Sequence, residues 1–214
     1  MGKKIQKMNY MNKIETIIFD LGGVMVDWNP EYVYKNVFKD PEKMDWFLTN
    51  VCSPEWNMEQ DGGRTIAEAE QLKIEEFPNY EKEIKIFYKE WHRMFKGVIQ
   101  ENIDIFYKLK ASGNIKIYGL TNWSAEKWDK ALELFPFLHD FDGIVVSGQE
   151  KCRKPNLKIY HLILDRYSIN PEKAIFVDDN IDNIISAKKV KINGIHFTND
   201  SNLFKLLEPY NLIF

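Results

Sequence analysis

A short apolar run near the start of the chain stops at a carboxylate and a glycine turn. Residues 17–19 are Ile-Ile-Phe, Asp20 follows them directly, and residues 21–23 are Leu-Gly-Gly. An unbroken run of this kind is typical of a strand that is buried on both faces of a parallel sheet. Open α/β sheets bind ligands at the carboxyl ends of their strands, so Asp20 occupies a position suited to chemistry. A strand-ending Asp that only caps a turn fits the same pattern, and the later strands must decide between the two interpretations.

The segment 29–97 has a helical pattern and no clear strand. A polar residue followed by Pro-Glu marks helix starts at residues 29–31, 40–42 and 53–55, and residues 65–68 form a capping box. Residues 80–95 carry apolar side chains at helical spacing. The segment is too long for a simple connection between neighbouring strands, and it predicts an inserted helical cap.

An alternation of strands and helices resumes after residue 97. We predict strands at residues 115–120, 141–146, 173–177 and 194–197, with helices between them. Strands that alternate with helices indicate a parallel sheet with right-handed crossovers. The predicted fold is α/β, a Rossmann-like parallel sheet flanked by helices, with an α-helical cap inserted after the first strand. We assign residues 14–28 and 98–214 to the core, 29–97 to the cap and 1–13 to a flexible N-terminal extension.

Composition narrows the choice of partners. The formal net charge is −3 and the pI is about 5.9, which gives no electrostatic case for nucleic acid. No apolar run approaches the roughly 20 residues of a membrane helix, and we expect no membrane partner. Cys52 and Cys152 lie in unrelated sequence contexts, as expected for a reducing compartment, so we predict a cytoplasmic protein.

Three of the predicted strands end in polar residues that should meet at one rim of the sheet, and a lysine lies in a nearby loop. These residues are Asp20, Thr121, Asn122, Lys154, Asp178 and Asp179. Crowded carboxylates repel one another, and Mg²⁺, which favours carboxylate oxygens, relieves that repulsion. A hydroxyl, backbone N–H groups and an ammonium can hold the oxygens of a phosphoryl group. A carboxylate aimed at phosphorus can act as the nucleophile and form an aspartyl-phosphate.

In their order along the chain, these residues resemble the four motifs of the haloacid dehalogenase superfamily of hydrolases. The motifs match residues 19–24 (Phe-Asp-Leu-Gly-Gly-Val), 120–122 (Leu-Thr-Asn), 154–155 (Lys-Pro) and 177–180 (Val-Asp-Asp-Asn). Many members carry their cap between the first and second motifs, where this chain has its helical segment. The resemblance extends from residue 14 to about the end of the chain and implies a hydrolase that uses Mg²⁺.

The resemblance implies which residues hold the metal. Asp20 would be both nucleophile and ligand, with the backbone carbonyl of Gly22 and the carboxylate of Asp179 as further ligands. Asp178 would act on the metal through a water molecule. Asn183, one helical turn beyond Asp179, would either hydrogen-bond to the metal cluster or serve the start of its helix.

The resemblance also implies which residues hold the substrate. Thr121 and the backbone of Asn122 would bind phosphate oxygens. Lys154 would neutralise charge between Asp20 and the phosphoryl group. The catalytic residues predicted in this way are Asp20, Thr121 and Lys154.

Gly22 departs from the commonest family pattern. Most phosphatases of the superfamily have a second aspartate at this place as general acid and base, whose help is typically worth about 100- to 10,000-fold in rate. The Asp-x-Gly-Gly-Val pattern is similar to a branch that includes glucose-1-phosphate phosphatases and is related to the N-terminal phosphatase domain of epoxide hydrolases. A sugar-1-phosphate leaves as an acidic hemiacetal oxygen that needs less protonation. The resemblance therefore implies a Mg²⁺-dependent phosphatase for a small phosphorylated metabolite, such as a sugar phosphate.

Two alternatives compete with the phosphatase. A metal-independent 2-haloacid dehalogenase also lacks the second aspartate, but such enzymes have no adjacent acid pair like Asp178-Asp179. They also use an arginine shortly after the nucleophile, whereas the first arginine here is Arg64. The other alternative is a catalytically weak binding protein with the same fold. A phosphomutase is disfavoured because it relies on the acid absent at Gly22, and the oligomeric state stays open.

Several cap and loop residues have positions that bear on a substrate cavity. Trp28, at the entry to the cap, and Trp123, after the second motif, could border that cavity. Asp61 and Arg64, beside a Gly-Gly break, could reach into the site, although a solvated turn is the favoured interpretation. The other tryptophans of the segment are predicted to pack inside the cap. These are Trp46, Trp56 and Trp91.

Overall fold

The computed structural model describes residues 13–198 and 200–212. The predicted flexible extension, residues 1–13, lies outside the described residues except for its last position. Within the described part of the chain, no helix has the length and apolar character needed to cross a bilayer. Cys52 and Cys152 are both buried, and neither forms a disulfide.

A five-stranded parallel sheet forms the centre of the molecule, with the strand order β5-β4-β1-β6-β7. The strands are β1 (Thr16–Phe19), β4 (Lys116–Thr121), β5 (Gly143–Val146), β6 (Ala174–Asp178) and β7 (Asn193–His196). Strand β1 is central and is paired on both sides, so Phe19 lies level with Gly119 and Val177. The register brings the carboxyl ends of β1, β4 and β6 together, as the strand pattern predicted.

Helices cover both faces of this sheet, which explains the unbroken apolar run of β1. They are α6 (Gln100–Ser112), α7 (Ala125–Leu134), α9 (Leu157–Arg166), α10 (Ile181–Lys189) and α11 (Leu203–Leu207). Side chains alternate along a strand, so Ile17 packs in one core cluster and Ile18 in another. The first cluster includes Phe106 of α6, and the second includes Ile159 of α9. The predicted Rossmann-like α/β core is confirmed.

The segment after β1 is helical, as predicted, and several of its helices begin at the expected caps. The helices are α1 (Glu31–Tyr34), α2 (Pro41–Asn50), α3 (Pro54–Asp61), α4 (Ile66–Glu76) and α5 (Glu81–Lys89). Asp40, Ser53 and Thr65 each accept a hydrogen bond from a backbone N–H of the first turn that follows. Satisfying one of these otherwise unpaired donors stabilises a helix by about 0.5–2 kcal/mol.

An antiparallel ribbon closes the helical segment, and here the prediction of helix up to Phe95 was wrong. Strand β2 (Val26–Trp28) pairs with β3 (Phe95–Val98). Helix α5 ends at Lys89, six residues before the first residue of β3. Phe95 packs against Trp91 and stacks on Trp123. Trp123 and strand β2 are distant from Phe95 in sequence, so these tertiary contacts override the local helical periodicity.

The tryptophans of the helical segment do not all lie inside it. Trp56 and Trp91 are buried, at 6% and 7% exposure, whereas Trp46 is 42% exposed. The prediction of an interior position was therefore wrong for Trp46, which meets Phe77 and Tyr80 at the surface.

The short helix α8 (Ser147–Glu150) was not predicted, and it follows β5 directly.

Candidate active site

Three carboxylates meet at the carboxyl ends of β1 and β6. Asp20, Asp178 and Asp179 each offer an oxygen atom, and these atoms lie within 4.8 Å of one another. Burial raises the pKa of Asp20 well above its ordinary value, and repulsion from Asp178 and Asp179 adds to this against the attraction of Lys154. Burial and Asp178 likewise raise the pKa of Asp179. The positive charge near the three carboxylates is therefore too small to keep all of them ionised. A divalent cation would supply the missing charge and restore the ionised carboxylates.

Lys154 is buried between two of these carboxylates. Its Nζ lies 2.9 Å from Oδ1 of Asp20 and 2.7 Å from Oδ2 of Asp178, and it donates to the carbonyl oxygen of Leu120 at 2.8 Å. Burial alone would lower the pKa of Lys154, but Asp178 and Asp20 outweigh burial and raise it. The lysine therefore remains a cation beside the predicted nucleophile.

Asn122 fixes the loop that carries Lys154. The backbone N–H of Lys154 donates to Oδ1 of Asn122 at 2.9 Å, and Nδ2 of Asn122 donates to the carbonyl oxygen of Lys154 at 3.0 Å. The side chain of Asn122 thus holds the backbone of Lys154 in place, and the backbone of Asn122 lies directly after the end of β4. The sequence motif did not indicate this side-chain role.

The two acids after β6 have different surroundings. Asp178 is fully buried and accepts hydrogen bonds from Nδ2 of Asn183 at 2.9 Å and from the backbone N–H of Asn180 at 2.8 Å. Together with Lys154, these donors engage both of its carboxylate oxygens. Asp179 is partly enclosed by the protein but is open to solvent on the side that lines the adjacent cavity. The geometry gives Asn183 a hydrogen bond into the acid cluster, which was one of its two predicted roles.

The glycine turn after Asp20 depends on Gly23 rather than Gly22. Gly23 has φ +70°, and a Cβ atom built on it would lie 2.2 Å from Oδ2 of Asp179. A Cβ on Gly22 would meet no atom of the described residues within 4 Å. The turn therefore needs a backbone without a side chain at Gly23, whereas Gly22 could carry a Cβ without a clash.

The hydroxyl group of Thr121 is an unsatisfied donor at the same rim. Thr121 is 1% exposed, and its Oγ1 has no hydrogen-bond partner among the described residues. A buried hydroxyl without a partner costs about 1–3 kcal/mol, so the site favours a ligand that can accept a hydrogen bond from it. A phosphate oxygen fits this requirement.

A cavity of about 190 Å³ lies between the strand ends and the helical segment. Gly22, Gly23, Asn122 and Asp179 line its core side. Its remaining lining is rich in aromatic side chains, namely Trp28, Tyr88, Trp91, Phe95 and Trp123. The predictions that Trp28 and Trp123 border a cavity are confirmed.

Asp61 lies in the cavity, which was the less favoured of its two interpretations from the sequence. It lines the cavity and is 9% exposed, so the solvated-turn interpretation was wrong for this residue. Arg64 does not line the cavity: it donates to Oε1 of Gln60 at 2.8 Å and to the carbonyl oxygen of Trp56 at 3.2 Å. The Gly-Gly break beside both residues was the available signal, but it does not show which of them turns inward.

Comparison with protein families and curated proteins gives consistent matches. The family model described as haloacid dehalogenase-like hydrolase matches residues 17–197. A sesquiterpene phosphatase of Aspergillus oryzae is 29% identical over 190 residues, covering 85% of this chain and 88% of that protein. A phosphorylated carbohydrates phosphatase of Thermotoga maritima is 27% identical, covering 86% of this chain and 84% of that protein.

Solved structures show the same fold. A family enzyme of Bacteroides thetaiotaomicron in complex with magnesium and inorganic phosphate has a TM-score of 0.67 at 21% identity, covering 90% of this chain and 98% of that one. The L-2-haloacid dehalogenase of Xanthobacter autotrophicus has a TM-score of 0.61 at 13% identity, covering 94% of this chain and 84% of that one. At these identities the likeness establishes the fold alone.

Proposed function

The chain belongs to the haloacid dehalogenase-like hydrolase family, and from this premise we propose that it is a Mg²⁺-dependent phosphatase acting through an aspartyl-phosphate. The observation that carries the proposal is the cluster of Asp20, Asp178 and Asp179, whose oxygens lie within 4.8 Å of one another. Such a cluster requires a cation when its carboxylates are ionised. We further propose that residues 29–97 act as the cap over a core of residues 14–28 and 98–214.

In this proposal Asp20, the carbonyl of Gly22 and Asp179 hold Mg²⁺, which supplies positive charge to the phosphoryl oxygens. The carboxylate of Asp20 attacks phosphorus and displaces the alcohol. Lys154, 2.9 Å from Oδ1 of Asp20, offsets the negative charge that gathers around the nucleophile. The Thr121 hydroxyl and the backbone of Asn122 hold the remaining oxygens, and water then releases phosphate from Asp20.

We propose that the leaving group is small and carries hydroxyl groups, as in a sugar phosphate. The cavity of about 190 Å³ is smaller than the roughly 300–1,000 Å³ of sites for drug-sized ligands. The indole N–H groups of Trp28 and Trp123 are buried without a partner among the described residues. Hydroxyl oxygens of a substrate can accept these hydrogen bonds while a sugar ring packs on the aromatic surfaces.

The dehalogenase alternative has less support in this site. It requires an arginine near the nucleophile, and the side chain of Arg64 is instead bound to Gln60 and Trp56. It also gives no role to a three-carboxylate cluster.

Phosphate release with Mg²⁺ tests the proposal. The panel comprises 4-nitrophenyl phosphate, sugar phosphates, nucleotides and farnesyl phosphate. We expect turnover that is abolished by chelation and by Asp20→Asn, with Asp45→Asn on the exposed face of α2 as the matched control. Chloride release from L-2-chloropropionate in the presence of chelator would establish the dehalogenase instead. A folded, Mg²⁺-replete protein that turns over none of these compounds would favour the binding protein.

A further inference from the structure

A phosphatase with Gly22 after its nucleophile needs another source of the proton that the leaving oxygen takes up. Of the described residues that line the cavity, only Asp61, Tyr88 and Asp179 carry titratable side chains. Asp179 belongs to the acid cluster. The Tyr88 hydroxyl donates to Oδ1 of Asn57 at 2.8 Å, and burial raises its pKa. Asp61 is the remaining acid.

We propose that Asp61, from the helical segment, is the general acid and base of this hydrolase. The inference rests on the phosphatase proposed above and adds to it the residue that moves the proton. The proton donor would then come from α3 in the helical segment rather than from the turn after the nucleophile.

Contacts from both sides of the cavity hold Asp61 in place. It is the last residue of α3, and its backbone carbonyl accepts a hydrogen bond from Oγ of Ser147, at the start of α8. Its carboxyl group accepts a hydrogen bond from Nδ2 of Asn57 at 3.3 Å, and the backbone N–H of Ser124 lies near enough to lower its pKa. Ser124 lies just beyond the strand that ends in Thr121. The carboxyl group therefore stands at the boundary between the helical segment and the phosphate-binding loop.

The surroundings of Asp61 suit an acid that exchanges its proton near neutral pH. Burial raises its pKa to about 7, against the lowering effects of Arg153, the backbone N–H of Ser124 and Lys154. Tyr88 faces it from α5 and stays protonated because burial raises the pKa of that hydroxyl. A general acid is most effective when its pKa lies close to the working pH.

Asp61 gives up one proton in the first step of the reaction and regains one in the second. In the first step Asp20 attacks phosphorus, the bond from phosphorus to the leaving oxygen breaks, and that oxygen takes the proton of Asp61. In the second step water attacks the same phosphorus and gives a proton to the Asp61 carboxylate. The bond from phosphorus to Asp20 breaks with its electron pair, so free phosphate, ionised Asp20 and protonated Asp61 result.

Leaving-group dependence tests the proposal in the full-length protein with Mg²⁺. Asp61→Asn should lower kcat/KM for phenyl phosphate by about 100-fold or more, and kcat/KM for 4-nitrophenyl phosphate, which has a more acidic leaving group, by less than about tenfold. The comparison uses kcat/KM because the second step, in which Asp61 acts as base, is the same for both substrates. Glu55→Gln on the exposed face of the same helix is the control and should change neither rate. An equal loss on both substrates, or no loss, would overturn the assignment.

Adding Gly22→Asp to Asp61→Asn separates proton donation from structural damage. A Cβ on Gly22 meets no atom of the described residues within 4 Å, so the substitution brings no clash at that atom. If Asp61 supplies the proton, the second substitution should restore part of the phenyl phosphate turnover. A double variant that stays selectively slow on phenyl phosphate would contradict the proposal.

A titration that does not depend on turnover distinguishes this inference from the proposed function. Carboxyl ¹³C resonances of the wild-type protein contain one signal that Asp61→Asn removes, and this signal should titrate near neutral pH. Titration below about pH 5, close to the ordinary range of aspartate, would overturn the role of Asp61. A near-neutral titration in a protein that hydrolyses no phosphomonoester would refute the phosphatase and, with it, this use of Asp61.

Discussion

Replacing Lys154 with methionine is the most informative perturbation of the core, because it removes the charge and keeps most of the volume. The Lys154 side chain is completely buried and contacts Asp20 at 2.9 Å and Asp178 at 2.7 Å. Removing one partner of a buried ion pair costs about 3–5 kcal/mol, since the other charge remains buried. We expect Lys154→Met to lower the free energy of unfolding by that amount at pH 7.5 in chelator. For a chain of this size the melting temperature would fall by about 6–20 °C.

The pH dependence of this loss follows from the pKa of Asp20. Lys154 is the group that lowers this pKa against burial, Asp178 and Asp179, so the variant has an Asp20 pKa raised further above that of the unfolded chain. The folded variant then holds a proton that the unfolded chain releases, and its stability falls as pH rises. One such proton contributes at most about 3 kcal/mol between pH 5 and 7.5. The destabilisation should therefore be largest at pH 7.5 and much smaller at pH 5.

Urea unfolding followed by tryptophan fluorescence measures this difference at both pH values. Lys158→Met, at an exposed lysine of α9, is the control and should change stability by less than about 0.5 kcal/mol. Mg²⁺ should return part of the lost stability in Lys154→Met, because a cation then faces the carboxylates again. A loss below about 1 kcal/mol at pH 7.5, or equal losses at both pH values, would refute the electrostatic reasoning.

Two further predictions concern the metal cluster and the turn beside it. Asp179→Asn should weaken Mg²⁺ binding by at least about 10-fold in calorimetric titration, and an unchanged affinity would remove Asp179 from the ligand set. Gly23→Ala should cost about 1–2 kcal/mol in thermal unfolding because alanine disfavours positive φ, and it should also weaken Mg²⁺ binding because its Cβ would meet Oδ2 of Asp179 at 2.2 Å. Gly22→Ala is the control, and equal behaviour of the two variants would contradict the difference drawn between these glycines.

Much of the core could be predicted because its signals are local. A strand buried on both faces must be apolar at successive positions, so the run at residues 17–19 identifies β1 without any knowledge of its partners. Parallel strands that end in polar residues place Asp20, Thr121 and Asp178 at one rim once the order of elements is known. Helix caps such as Thr65 depend only on the next few residues.

Other features depend on contacts between distant parts of the chain, so no local pattern predicts them. Phe95 became part of a strand because β2 pairs with β3 across the whole helical segment. Asp61 was brought to the cavity by a hydrogen bond to Ser147, 86 residues away, and its raised pKa comes from burial that no local pattern encodes. Glycine is required at position 23 rather than at position 22 because Asp179, which lies far along the chain, approaches the backbone of Gly23. Local sequence patterns thus predict the parallel core and the acids at its rim, whereas the way the helical segment meets them follows from long-range packing.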